Sequence, residues 1–393
     1  MRATRGRFAI ALAAFGAAVL ALAVTGWPAR TYIDSDFMQY YAGSHALIER
    51  ASPYDQTWWN DFHRRSGSIV ATGAPHTGDP ATDWTTPYPL WVFLLLVPFA
   101  LVPLAVAAPL FALTQIALVL AATFALATVV LRQSPGRVPF AVVSVAASQP
   151  LWALTYGGNV TGFAAAGLTA ALAALLTGRA FLAGVLLAGC LLKPHLFLVA
   201  AIAMVFAARS DQRRPLAIGA IGSALVLLAI SFALDPGWVP GWLRAASRLQ
   251  ETSFSNASGW TILRPVTTQF VGPSAAIVIA CVAALAVWWR RTRPTPLRAV
   301  AAALPVSVLL APHAWSYDYI VLVPVVVWGF LVASVARVPA LASLAVVVFA
   351  VALPWILNVV AFARNGEDLS AWLLVAAEVL LITVVPRRAT VVP

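Results

Sequence analysis

Asp34-Ser35-Asp36 sets two carboxylates two residues apart directly after the first apolar run, and Phe37-Met38-Gln39-Tyr40-Tyr41-Ala42-Gly43 follows. In a helix starting at Asp36, Tyr40 at i+4 and Gly43 at i+7 share its face, so a carboxylate, a phenol and a small residue meet over one pocket. That set suits a general base beside a bound hydroxyl. Asp is also a preferred N-cap residue, so either acid could simply start the helix. The D-x-D spacing could hold a divalent cation through oxygen ligands, but no third ligand converges on it in the sequence.

Lys193 is the only lysine in 393 residues, and it stands in Cys190-Leu191-Leu192-Lys193-Pro194-His195 within the apolar run from Phe181 to Ala208. An ammonium at membrane depth costs roughly 2.5 to 3.5 kcal/mol on insertion scales, so it needs an anion. A lipid-linked phosphate is the first candidate, and an internal pair with an intramembrane carboxylate such as Glu378 is the alternative. Pro194 has no N–H and crowds the preceding turn, which predicts a kinked or broken helix there. His195 reads as a satisfied core histidine.

Two further clusters carry polar chemistry. Ala311-Pro312-His313-Ala314-Trp315-Ser316-Tyr317-Asp318-Tyr319 gathers a histidine, a carboxylate and three aromatics after a proline break. His313 could donate to a phosphate or sugar oxygen, and Asp318 could orient it or cap the following helix, the favoured role. Tyr156-Gly157-Gly158-Asn159 is good turn chemistry, with Asn159 also able to offer an amide to a polar headgroup.

These residues need a scaffold, and composition names its class. At 61% hydrophobic and 10% charged residues, the chain reads as an all-α polytopic membrane protein. Its 25 basic residues against 14 acidic ones are mostly Arg at the ends of apolar runs, a topology signal rather than a nucleic-acid surface. Cys190 and Cys281 lie in apolar runs with no metal or redox spacing. About twelve helices are expected, at 8–27, 88–106, 107–131, 138–156, 159–177, 180–208, 215–235, 273–290, 298–312, 317–335, 339–361 and 369–386. The first reads as a retained span rather than a cleaved signal.

Counting twelve spans puts the clusters Arg2/Arg5/Arg7, Arg209/Arg213/Arg214, Arg290/Arg291/Arg293/Arg298, Arg337 and Arg387/Arg388 on one side, the cytoplasm. Arg132 and Arg137 disagree and fall outside. Two long segments, 28–89 and 236–272, face the exterior. The first holds Asp34, Asp36, Glu49, Asp55, Asp61, Asp79 and Asp83, half of all acids, and both are rich in tryptophan, which predicts short helices along the membrane surface.

Asp36-Phe37-Met38-Gln39-Tyr40-Tyr41 through Pro53-Tyr54-Asp55, then Tyr88-Pro89-Leu90, Gly158-Asn159, Lys193-Pro194, Ser255-Asn256-Ala257-Ser258-Gly259 and Pro312-His313-Ala314-Trp315 follow one another in an order that resembles glycosyltransferase family 87. That family comprises polyprenyl-phosphate-mannose-dependent mannosyltransferases. The resemblance implies the C-type glycosyltransferase fold, a single transmembrane domain over 1–393 in the plasma membrane, and an active site facing the periplasm. It further implies a polyprenyl-phosphate-sugar donor, a lipid or glycan acceptor of the cell envelope, inverting transfer and no metal or other cofactor. Carried over by position, Asp36 is the base, with Asp34 two residues earlier as its rival. Lys193 and His313 are the donor-phosphate contacts, and Asp34, Tyr40, Tyr41, Tyr88, Asn159 and Trp315 are the substrate contacts. Trp84 reads as an interface anchor, and the stretch from Gly67 to Thr82 departs from the family pattern. A different class, a transporter or flippase of a lipid-linked or anionic solute, would use Lys193 and the broken helix as a midplane binding site. A non-catalytic assembly partner would leave Asp36 dispensable.

Overall fold

The computed structural model describes residues 35–66, 87–252, 271–311 and 314–363, and within them every regular element is helical. The apolar runs leave no other choice, since backbone groups facing lipid must be satisfied within their own segment. The expected helices at 8–27 and 369–386 lie outside the described residues, as do Asp34, the stretch 67–82, Trp84, His313, Glu378 and the motif at 255–259.

The site end begins with α1 (Asp36–Ile48) and α2 (Gln56–Ser66), then α3 (Leu90–Ala100). There follow α4 (Leu104–Val130), α5 (Val138–Ala146), α6 (Gln149–Gly157) and α7 (Thr161–Leu176). Next come α8 (Ala180–Leu187), a 3-10 turn over Ala188–Leu192, α9 (Pro194–Ala207), α10 (Ser210–Leu234) and α11 (Trp238–Thr252). The last part comprises α12 (Val271–Thr292), α13 (Pro296–Leu309), a 3-10 segment over Ser316–Leu322, α14 (Val323–Ser334), α15 (Pro339–Val347) and α16 (Leu353–Ala363). Pro139, Pro150, Pro194, Pro296, Pro324 and Pro339 each occupy one of the first two positions of a helix. A missing N–H costs nothing there, and so proline divides the chain into shorter helices than its apolar runs suggest.

Twelve crossings are not found. Among the described residues, four helical stretches are long and apolar enough to span a bilayer: 104–130, 210–234, 316–334 and 339–361; the pair 135–146 and 149–155, bent by 46°, makes a fifth. Two of the expected spans fail for reasons that can be named. Helix α3 has 11 residues, about 16 Å at 1.5 Å per residue, against a hydrocarbon core of about 30 Å. It packs along α1 instead, with Ser44 Oγ donating to Phe93 O at 2.9 Å and Tyr41 Oη to Val102 O at 3.0 Å. The chain is still at the site end afterwards, because the ring of Phe111, near the start of α4, packs tilted against Phe37 with centroids 4.5 Å apart.

The second is 180–208. Its apex, Lys193, reaches the site, yet both of its ends lie at the opposite end of the molecule. Leu175, fourteen residues below Thr161 on α7, accepts Gln212 Nε2 at 3.1 Å, and Arg213 donates to Phe206 O and Ala208 O. Segment α8–α9 therefore enters from the far end, turns at Lys193 and returns. Gly184 and Gly219 let α8 and α10 meet backbone to backbone, since a Cβ on either would run into Leu216 O or Phe181 O.

Removing these two crossings also resolves the discordant arginines. Leu131, Arg132, Leu176, Thr295, Leu297 and Val335 line one cavity, so the ends of α4, α7 and α14 and the start of α13 share the far end. Arg132 and Arg137 thus join Arg179, Arg209, Arg213, Arg214, Arg290, Arg291, Arg293 and Arg337 on the short connections and helix ends there.

Candidate active site

Ser35 is the extended N-cap of α1 and makes no side-chain capping bond, and Asp36 is the first helical residue. Its carboxylate faces away from the helix, where Oδ2 accepts Asn159 Nδ2 at 2.5 Å and Tyr317 Oη at 3.0 Å. The capping alternative for Asp36 is therefore not what the structure adopts.

Asn159 gets this close because of the glycine before it. Gly158 ends α6 at φ 63°, and a Cβ there would lie 2.7 Å from Phe37 Cβ, 2.9 Å from Ser35 Oγ and 3.0 Å from Phe37 N. Any side chain would both strain the left-handed backbone, by about 1–2 kcal/mol, and push the turn off α1. Gly158→Ala is accordingly expected to lower the unfolding midpoint in detergent and to separate Asn159 from Asp36; an unchanged midpoint would contradict this packing.

The orientation of the Asn159 carboxamide follows from its neighbours. Its Oδ1 accepts the Thr161 backbone N–H at 3.0 Å, a bond its NH₂ cannot make, so Nδ2 must face Asp36. Tyr88 Oη at 3.3 Å and Tyr317 Oη at 3.4 Å complete the surroundings of that NH₂.

Behind Asn159 lies the partner of the lone lysine. Lys193 Nζ donates to Asp318 Oδ1 at 2.7 Å, with side chains 3% and 0% exposed, and lies 5.1 Å from the centre of the Tyr317 ring. The ammonium expected on a donor phosphate is thus held in an internal pair with a carboxylate, the alternative reading, with Asp318 rather than Glu378 as the acid. Asp318, the third residue of the 3-10 segment, reaches back so that its Oδ2 accepts the N–H of the N-cap residue Trp315 at 2.9 Å while its Oδ1 neutralises the lysine. Thr161 Oγ1 lies 2.5 Å from Asp318 Oδ1 and 2.7 Å from Asn159 Oδ1. The hydroxyl has one proton for these two acceptors and so donates to one of them at a time; Asp36, Asn159, Thr161, Asp318 and Lys193 bring α1, the α6–α7 turn, the 3-10 segment and the apex of α8–α9 to one place.

The helix break at Lys193, with φ −142° and ψ 69°, is the one Pro194 predicts. It frees the Leu191 carbonyl, which Trp91 Nε1 satisfies at 3.0 Å. Trp91→Phe keeps the aromatic bulk and removes that donor, so it is expected to cost about 1–3 kcal/mol in unfolding free energy. Chemical denaturation in micelles measures this, and a loss below about 0.5 kcal/mol would mean the carbonyl finds another donor.

The two segments expected to face the exterior meet near the carboxylate. Tyr54 Oη donates to Tyr88 O at 2.7 Å, Trp242 Nε1 to Pro87 O at 2.8 Å, and Ser52 Oγ to Asp235 Oδ2 at 2.6 Å. Short helices α2 and α11 form there, as the tryptophan-rich segments predict.

Of the residues singled out from sequence, Asp36, Tyr88 and Asn159 come together, with the Tyr40 ring 4.7 Å from that of Tyr88. Trp315 stacks on Tyr317 at 6.5 Å. Tyr41 turns instead to the Val102 carbonyl and to His45, and Lys193 reaches the carboxylate only through intermediaries. Asp34 and His313 lie outside the described residues. Sequence reasoning does not reach Thr161 or Tyr317, and for Asp318 it gives orienting His313 or capping the following helix, not pairing with Lys193. The available signal for Asp318 was the need of a lone membrane ammonium for an acid, with few acids to choose from.

Asp36 is half-buried and held by one amide and one phenol, an arrangement able to accept a proton from a neighbouring hydroxyl. Among the described residues no three His, Cys, Asp or Glu side chains converge to hold a metal. In comparisons with known proteins, the model of glycosyltransferase family 87 matches residues 84–312, more than half of the chain. No curated protein and no solved structure matches.

Proposed function

Because the chain belongs to glycosyltransferase family 87, we propose that this membrane glycosyltransferase moves a hexose, specifically mannose, from a polyprenyl-phosphate donor to a lipid or glycan acceptor of the cell envelope. The step is a single displacement with inversion. Both bonds to Asp36 described above go to Oδ2, which leaves Oδ1 to take the proton of the acceptor hydroxyl. The acceptor oxygen bonds to the anomeric carbon as the bond from that carbon to the phosphate oxygen breaks, and polyprenyl phosphate leaves with the electron pair. A positioned base is typically worth about 10² to 10⁴ in rate.

The observation that supports this reading most is the Asp36–Asn159–Tyr317 contact, which joins three segments separated by over a hundred residues around one accessible carboxylate. Lys193 already has Asp318, so the departing phosphate is assigned to His313, two positions before Trp315 in the sequence. Tyr40, Tyr88 and Trp315 supply aromatic faces for the sugar or the first prenyl units. With the arginines of the short connections at the opposite end, the positive-inside rule turns the Asp36 end towards the exterior of the plasma membrane. A transporter centred on Lys193 is less well supported, because its midplane cation is neutralised by a fully buried carboxylate.

The test is transfer by the purified protein in lipid, supplied with radiolabelled polyprenyl-phosphate-mannose and total membrane acceptors. Labelled product of inverted anomeric configuration is expected. No transfer from any polyprenyl-linked sugar would favour the transporter.

A further inference from the structure

We propose that the cavity at the arginine-rich end, opposite Asp36, binds the phosphate of an anionic phospholipid. The cavity measures about 110 Å³ and lies where the ends of α4, α7 and α14 meet the start of α13. Roughly 10–15 Å³ suffices for one water, so a phosphate fits there with its bridging waters. Donors line it. Arg132 has no ion-pair partner among the described residues. The other arginine of that connection, Arg137, already donates to Ser343 Oγ at 3.0 Å and to Phe330 O at 3.4 Å. Thr295 is the N-cap of α13 yet makes no capping bond, and its Oγ1 is buried with no hydrogen-bond partner among the described residues. Pro296 has no N–H, so the first-turn donors that lack an intrahelical partner are the N–H groups of Leu297 and Arg298. A guanidinium fork, a buried hydroxyl and the positive end of a helix together answer a phosphate.

That the phosphate belongs to a lipid follows from its level and from the rest of the wall. Helix α4 and the stretch 316–334 that α14 completes are long and apolar enough to span a bilayer, so their ends stand at headgroup depth. Leu131, Leu176, Leu297 and Val335 complete the lining, an apolar wall suited to the glycerol and the first methylenes of the chains and to no inorganic ion. Charge at this end favours an anion. Its connections carry the arginines already named, and Asp211, the acid among them, is held by Arg209 through both oxygens at 3.1 and 2.6 Å. Basic pockets between helices at the inner face of a membrane take lipid phosphates in this way. Such a site stands apart from the transfer chemistry at Asp36.

Purified protein in non-ionic detergent is to be titrated with phosphatidylglycerol, with phosphatidylcholine and with inorganic phosphate, reading bound lipid by native mass spectrometry together with the unfolding midpoint. One saturable phosphatidylglycerol is expected, bound about tenfold or more tighter than phosphatidylcholine, with a rise in midpoint that inorganic phosphate does not reproduce. Arg132→Gln should weaken it about tenfold or more and Thr295→Val about three- to tenfold, since each removes a donor to a charged group. Arg132 is exposed, and Thr295 makes no capping bond to lose, so both effects read the ligand. Arg214→Gln removes an equal charge at the same end from a residue outside the cavity lining, and should change the affinity by less than about twofold. Wild-type affinity in Arg132→Gln would overturn the assignment. So would an equal loss in Arg214→Gln, which would mean diffuse attraction to a basic face. Equal binding of phosphatidylcholine, or an equal rise with inorganic phosphate, would overturn the anionic lipid as occupant. None of these readings uses transfer, so they are decided separately from the role of Asp36.

Discussion

Lys193→Met is expected to destabilise the protein by about 3–5 kcal/mol, because it strands the Asp318 carboxylate in a fully buried position. Asp318→Asn should cost a similar amount by stranding the ammonium instead. The double variant Lys193→Met/Asp318→Leu, which removes both charges, should recover most of the loss, since apolar side chains of similar size are often tolerated as well as a buried pair. The recovery will be incomplete. Asp318 also accepts the Trp315 N–H, and leucine leaves that donor and the Thr161 hydroxyl without it. A double-mutant cycle on unfolding free energies in detergent therefore gives a coupling of several kcal/mol if the two side chains form one unit. Additive single effects would mean that the pair contributes nothing jointly and that Lys193 has another principal partner.

The second large effect falls on chemistry rather than stability. Asp36→Asn should reduce transfer by about 10² to 10⁴ while leaving the unfolding midpoint near wild type. Asparagine keeps the size of the residue and an oxygen able to accept from Asn159 or Tyr317, so the contacts of α1 survive in outline. It has no basic oxygen for the acceptor proton. Because the loss lies in the transition state, kcat should fall and KM for the donor should change little. Tyr317 and Asn159 surround the same oxygen, and their removal should give smaller losses of the same kind.

How much of this was legible in the sequence can be argued residue by residue. The helix from Asp36, the break at Pro194 and the turn at Gly157-Gly158 follow from local rules of periodicity, proline geometry and glycine conformation, and all three are present. Asp36 and Asn159 could each be singled out locally, but their contact spans 123 positions and no spacing rule reaches that far. The anomaly of Lys193 was visible as a charge in hydrocarbon, and its need for an anion was correctly posed. Its partner was not visible, because Asp318 also satisfies the local role of a cap, and that explanation masked the long-range one.

The membrane topology was lost for a related reason. Apolarity records that a segment avoids water, and says nothing of whether it crosses. Residues 180–208 are as apolar as a crossing helix, yet Lys193 and Pro194 turn them back at the site. A straight helix would have carried Lys193 about 20 Å from the outer end. The returning segment instead brings it up from the opposite end to the level of the carboxylate. Arg132 and Arg137 held the clue, since no arrangement with every apolar run crossing could place them with the other arginines.

The most direct test of the account is single-turnover transfer from radiolabelled polyprenyl-phosphate-mannose by Asp36→Asn, with donor binding measured on the same sample. The prediction is donor bound with near wild-type affinity and a transfer rate of about 1% of wild type or less. Transfer at the wild-type rate by a variant that binds donor normally would contradict Asp36 as the base.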